Sequence, residues 1–325
     1  MLAWLSRFFA LFTVACLAVL PEAAAAQQAG AMSKEVPKQI TFVVGFAAGG
    51  ALDTIARILA NEISERAGVT VTVVNRPGAS SNLAARYVAS GPPDGSVMLV
   101  SGTSLVINAS LFKAPGYALS DFAVVALPVT DATAILVNAE SPVRRLGEMI
   151  ETAKPFTFGA GGSSARIVGE YLFKGVRKLD ATFVPFQGGA PALNALLGGH
   201  IDVLSGPVSE TAGQVSERKI RALAVSGRNR SAAIPDTPTL TELGIPIDTT
   251  GDIGLYAPAQ TPAAVIALVN QMVTDILRED RIRARVTAIG FEAAPRTIGE
   301  LSGHLAREGR RWSEMITAIG IEQIP

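Results

Sequence analysis

The chain has 325 residues, 49% of them hydrophobic and 17% charged, which supplies a sizeable core, suits two domains and excludes a disordered chain. Lys plus Arg and Asp plus Glu each number 28, so the basic excess needed to hold a phosphate backbone is missing and no nucleic-acid partner is expected.

Residues 1–26 read as an export signal. Arg7 precedes an apolar run over 8–20, Pro21 follows, and Ala23 to Ala26 lead to Gln27, with a small Ala24-x-Ala26 pattern that suits cleavage before Gln27. The run is too short to span a bilayer, which takes roughly 20 residues, and nothing later in the chain approaches that length. The only cysteine, Cys16, lies inside this run, and the preceding Thr13-Val14-Ala15 does not fit a lipid-attachment site. The mature protein is therefore expected to be periplasmic, without thiol, disulfide, metal or cofactor.

The predicted elements then follow in chain order. A β-rich run at 40–44 is broken by Gly49-Gly50, and Ile55, Ile58, Leu59 and Ile63 recur at helical spacing until Gly68. A strand at 69–74 closes at Asn75-Arg76-Pro77-Gly78. A helix at 82–89 and the turn Pro92-Pro93-Asp94-Gly95 lead to a strand at 97–100. This β-α-β-α-β order implies a parallel sheet with helices on its faces. The same grammar returns over 144–248, with strands at 156–158, 182–184, 201–204 and 222–225, although no internal sequence repeat is evident. After a strand at 254–258, Thr261 and Pro262 are placed to cap and open a helix with the stripe Val265, Ile266, Val269, Met272, Val273 and Ile276.

Two glycine-rich loops carry the chemistry. Gly45-Phe46-Ala47-Ala48-Gly49-Gly50-Ala51-Leu52-Asp53 and Gly159-Ala160-Gly161-Gly162-Ser163-Ser164-Ala165 each join a strand to a helix. Such a turn presents backbone N–H groups and the positive end of a helix dipole, which suits a carboxylate or phosphate; alternatively the glycines only permit tight turns. Asp53 reads first as a cap and dipole partner, and second as a group ordering the loop from behind. The loops match neither G-x-G-x-x-G nor the Walker pattern, and no G-x-S-x-G elbow is present. His200 and His304 are the only histidines and lie far apart, so neither a metal site nor a catalytic triad is legible.

These residues resemble the solute-binding receptors of tripartite tricarboxylate transporters, the Bug family, over residues 38–320. The resemblance rests on the first loop with Arg57, on Val73-Val74-Asn75-Arg76-Pro77-Gly78-Ala79 and Pro93-Asp94-Gly95, and on Val184-Pro185-Phe186-Gln187-Gly188-Gly189-Ala190-Pro191-Ala192-Leu193. It continues in Gly198-Gly199-His200-Ile201-Asp202-Val203, Leu223-Ala224-Val225, Ile234-Pro235-Asp236-Thr237-Pro238-Thr239, Ala257-Pro258-Ala259-Gln260-Thr261-Pro262 and Trp312. It implies an α/β, two-lobed type II periplasmic-binding-protein fold (Venus flytrap), each lobe a mostly parallel sheet flanked by helices. Residues 36–138 plus 253–325 would form lobe 1 and 139–252 lobe 2. It also implies a small carboxylate ligand, transport through a two-subunit membrane permease, no enzymatic step and, for a diffusing shuttle, a monomer. The implied ligand-binding residues are Phe46, Ala47, Ala48, Gly49, Gly50, Asp53, Thr103, Gly161, Gly162, Ser163, Ser164, Arg166, Gln187, Gly188 and Gly206.

The chain departs from the family pattern around the expected ligand. The second loop is one residue shorter, Arg166 stands where histidine is frequent, Gly206 and Ala195 replace frequent acids, and Asp252 replaces a common tryptophan. Arg166 is expected to pair with a ligand carboxylate or to sit on a solvated helix face. The loss at Gly206 favours a plain carboxylate over an amino acid, with Asp252 as a replacement acid. Two other readings remain open at this level: a ligand sensor docking on a membrane kinase, and an enzyme on the same fold, which would need a paired base and nucleophile in the cleft.

Overall fold

The structure is a computed structural model and describes residues 37–152, 154–186 and 189–324. The expected signal lies outside these residues. The first βαβαβ run forms as its periodicity predicts. β1 (Gln39–Val44), α1 (Ala51–Ala67), β2 (Thr70–Asn75), α2 (Asn82–Ala89), β3 (Val97–Ser101) and α3 (Ser104–Leu111) follow one another, and β1 pairs in parallel with β2 and β3. Helix α1 buries Ile55, Ile58, Leu59 and Ile63 and stops at Gly68, whose φ of 62° is the left-handed cap glycine adopts without cost.

Next comes β4 (Phe122–Asn138), a strand of 17 residues that the sequence pattern leaves unassigned. Its core-facing stretches are buried on both faces, so the polar alternation of a half-exposed strand is missing. Pro128 sits where the register slips between Ala126 and Val129, a bulge that tolerates the missing N–H donor.

The second run is α4 (Leu146–Thr152), β5 (Phe156–Ala160), α5 (Ser163–Glu170) continued by a π-turn over Tyr171–Val176, β6 (Ala181–Phe183), α6 (Gly189–Leu197), β7 (Val203–Pro207), α7 (Val208–Ser216) and β8 (Ile220–Val225). The chain then returns through β9 (Thr250–Pro258), α8 (Ala263–Arg278), α9 (Asp280–Ala288), β10 (Glu292–Ala293), α10 (Ile298–Leu301) and α11 (His304–Ile319). Helix α8 buries the expected stripe except for Ile266, which is half-buried. Its start corrects the reading of Thr261 as a cap. Pro262 takes the cap position, and the buried Thr261 Oγ1 has no partner among the described residues.

The 10 strands among the described residues join one sheet in two halves. The first half runs β2-β1-β3-β9-β4 with β10 beyond β4, and β9 is antiparallel to its neighbours β3 and β4. The second runs β6-β5-β7-β4-β8, and here β4 is antiparallel to its neighbours β7 and β8. Each half therefore repeats one strand order, with its antiparallel member coming from a chain segment that crosses between halves. The fold is the α/β type II periplasmic-binding-protein architecture.

Strand β4 changes partners between Ala132, which pairs with Thr250 of β9, and Thr133, which pairs with Pro207 of β7. This crossover precedes the junction expected at 138/139, and the one expected at 252/253 falls inside β9. No composition break marks the change, because the strand runs straight through it. The C-terminal helix α11 also belongs to both halves. It packs on α3 and on the π-turn, and Trp312 enters a core cluster that contains both Val43 and Phe158.

Because β4 is paired on both edges in the second half, Leu136 is enclosed by two ladders and fully buried. Leu136→Ala is expected to cost about 2–5 kcal/mol. A fall in the urea midpoint at unchanged slope would check this, and a loss below about 1 kcal/mol would show that the second half can collapse around the cavity.

Candidate functional site

Four helices begin at one cavity of about 390 Å³ where the halves meet. The N-termini of α1 (Gly50, Ala51), α3 (Thr103, Ser104), α5 (Gly162, Ser163) and α7 (Pro207, Ser209) all contribute to its lining, and none has a side-chain cap from its own cap residue. The first turns of these helices carry N–H groups without intrahelical partners, together with the positive end of the dipole.

The first loop is held from behind. Asp53, 3% exposed, accepts from the Gly49 N–H and from Arg57 Nε through Oδ2, both at 2.9 Å. Its Oδ1 accepts from Arg57 Nη2 at 3.0 Å and Asn75 Nδ2 at 2.9 Å, and Asn75 Nδ2 also donates to the Phe46 carbonyl at 3.0 Å. The Arg57 hydrogen bond leads in holding the Asp53 carboxyl down at about 2, against the pull of burial. Gly49 has φ +82°, a conformation that fits the Gly49 N–H to this carboxylate and that a side chain would strain.

Of the residues expected from sequence, Phe46, Gly50, Thr103, Gly161, Gly162, Ser163 and Ser164 line this cavity together. Ala47, Ala48 and Gly49 are exposed in the first loop outside the lining, and Asp53 supports that loop without facing the cavity. Gly206 is buried at the end of β7 behind Gly161, and its neighbour Pro207 takes the wall position. Gln187 and Gly188 lie outside the described residues.

Arg166 corrects an expectation. Its Nε bonds Glu170 Oε1 at 2.9 Å, one turn further along α5, and its guanidinium stacks 4.5 Å above the Phe183 ring. The buried Glu170 draws it away from the helix start, so it borders a separate surface hollow with Lys174.

Sequence reasoning missed Ser104, Asp131, Ser209 and Glu210 in the lining. The one available signal was an acid, Asp131, within the apolar 122–138 segment. Asp131 Oδ2 accepts from Ser209 Oγ at 2.5 Å and Oδ1 from the Ser209 N–H at 3.2 Å, so a residue of β4 caps α7. Burial pushes the Asp131 carboxyl up to about 7; the Ser209 hydrogen bonds oppose this and the Glu210 charge adds to it. Ser209 Oγ is thus engaged with Asp131, and neither histidine is among the described lining residues. Asp252 also lines the cavity, but its carboxylate turns to Arg296 at 3.3 Å and to the buried His304 at 3.7 Å, while its N–H donates to Thr103 Oγ1 at 3.0 Å. Burial lowers the His304 pKa, and the Asp252 charge raises it in opposition.

The two carboxyls respond oppositely to pH. Asp53 is depressed when folded, so its contribution is present above its unfolded value near 4 and is lost as pH falls toward 2. Asp53→Asn should cost about 1 kcal/mol at pH 7, discounted because Arg57 is half exposed, and progressively less as pH falls through about 2. Asp131 is raised when folded, so wild-type stability declines as pH rises from near 4 to about 7. Asp131→Asn should flatten that decline. Urea titrations of both variants across pH check the pair, and an unchanged slope in Asp131→Asn would remove the strain assigned to this carboxyl.

The geometry can now be set beside known proteins. Residues 55–321 match the model of the tripartite tricarboxylate transporter family receptor. Among solved structures, R. palustris Rpa4515 with adipate is 28% identical, covers 88% of this chain and 98% of its own, and superposes with a TM-score of 0.76. The periplasmic binding protein BugD is 27% identical, covering 88% and 99%, at a TM-score of 0.73. MatC from Rhodopseudomonas palustris with bound malate is 29% identical, covering 86% and 98%, at 0.72. A match of that extent, over the same fold, decides the family: this chain belongs to the tripartite tricarboxylate transporter family receptors.

Proposed function

We propose that this chain is a periplasmic receptor that captures a small organic carboxylate between two lobes and delivers it to a two-subunit membrane permease. The observation that carries the reading is the convergence of four helix N-termini on one cavity between the sheet halves, of which α7 is capped by Asp131 and those of α1, α3 and α5 have no cap from their own cap residues. Such an array attracts an anion and does no covalent chemistry. Relatives of the same fold with adipate and with malate support the ligand class. The crossings in β4 and β9 are the segments about which the lobes would close, a hinge motion of the usual kind for two-lobed receptors. Release to a permease follows if its docking favours the open form.

Thermal unfolding of the purified protein against mono-, di- and tricarboxylates, aromatic acids and amino acids tests this reading. A ligand at about 100 times its Kd should add about 2.7 kcal/mol. Gly162 has φ +143°, so Gly162→Val should remove that shift by distorting the α5 N-terminus while cooperative unfolding persists. Silence of a folded, ligand-free protein across the whole panel would sink the carboxylate reading.

A further inference from the structure

Charge is spread unevenly around the cavity. On the side of the first half the acids are neutralised, Asp53 by Arg57 and Asp252 by Arg296. On the side of the second half no described cation acts on either Asp131 or Glu210. Asp131 lays its carboxylate on the N-terminus of α7 and so cancels the attraction that helix would have for a ligand anion. Glu210 lies between the start of α6 and the second glycine loop, its Oε2 filling the space a Cβ on Gly189 would need and standing 3.5 Å from where a Cβ on Gly161 would be. Among the described lining residues there is no Lys, Arg or His to offset either acid. The first half instead offers the α1 and α3 N-termini and Ser104 Oγ, a hydroxyl shut off from solvent and without a partner among the described residues. A buried hydroxyl of that kind is costly unless a ligand atom completes it.

Building on the proposed receptor function, we infer that the ligand is a zwitterion with a single carboxylate. The carboxylate sits at the α1 and α3 N-termini beside Ser104, and an ammonium group faces Asp131 and Glu210. A second carboxylate would meet two acids and no described cation in a partly desolvated cleft, a juxtaposition that disfavours binding. This reverses the preference for a plain carboxylate drawn from Gly206, because the acids come from β4 and α7 instead. It also sets the chain apart from relatives that hold the diacids adipate and malate.

Calorimetric titration of the purified protein with matched pairs tests the inference: adipate against 6-aminohexanoate, glutarate against 5-aminopentanoate, succinate against 4-aminobutyrate, and hexanoate against norleucine. In at least one pair the amino member should bind about tenfold tighter or better. Asp131→Asn/Glu210→Gln should erase that preference. Glu210→Gln alone should reduce it, which keeps the test sound if the double variant folds poorly. Tighter binding of the diacids, or a preference that survives both variants, overturns the inference and leaves the receptor standing. No binding by any member of any pair overturns the inference, and with silence across the wider panel the receptor reading falls too.

Discussion

Strand β4 has to belong to both halves of the sheet. In its first part it pairs with β9, and from Thr133 onward it is paired on both edges by β7 and β8. Among the described residues the two halves share no other strand of that length, so their relative placement rests on this continuous ladder with its bulge at Pro128, together with α11 packed on both. A strand buried on both faces cannot slip by one residue without turning core side chains outward, which fixes the register of both sheets together. The cavity lies where the strand changes partners, and Asp131 stands one residue ahead of Ala132, the last to pair with β9.

The helix starts follow from the same arrangement. In open α/β sheets the crevice lies beyond the carboxyl ends of the parallel strands, where each strand hands over to a helix. Here β1, β3, β5 and β7 deliver α1, α3, α5 and α7 to that edge. Backbone N–H groups thus face one volume without a single cationic side chain among the described lining residues. Rigidity comes from behind, most clearly where Asp53 ties Gly49, Arg57 and Asn75 into one unit and Asn75 reaches the Phe46 carbonyl. The α7 start differs, since Asp131 already occupies it.

Much of this was legible beforehand, for local reasons. The stripe of α1, its stop at Gly68 and the two glycine loops depend on spacing and on residues with special backbone freedom, and those are written along the chain. The line Phe46 to Asp53 therefore identified both a cavity wall and its support. Strand β4 was missed because burial on both faces erases the alternation that marks a strand. Arg166 was misplaced because a motif position says nothing about which neighbour a long side chain prefers, and Glu170, one turn away, is buried and charged.

By itself the sequence determined the two βαβ runs, the two glycine-rich loops and the family, since each rests on short-range pattern or on ordered motifs. Only the tertiary structure decided where the halves join, which acids enter the cleft and which of them are neutralised. Asp131 and Ser209 lie 78 positions apart, as Asp252 and Arg296 lie 44 apart. Whether a carboxylate in the wall repels or attracts a ligand depends on such distant partners, because the charge it presents is what remains after they have been counted.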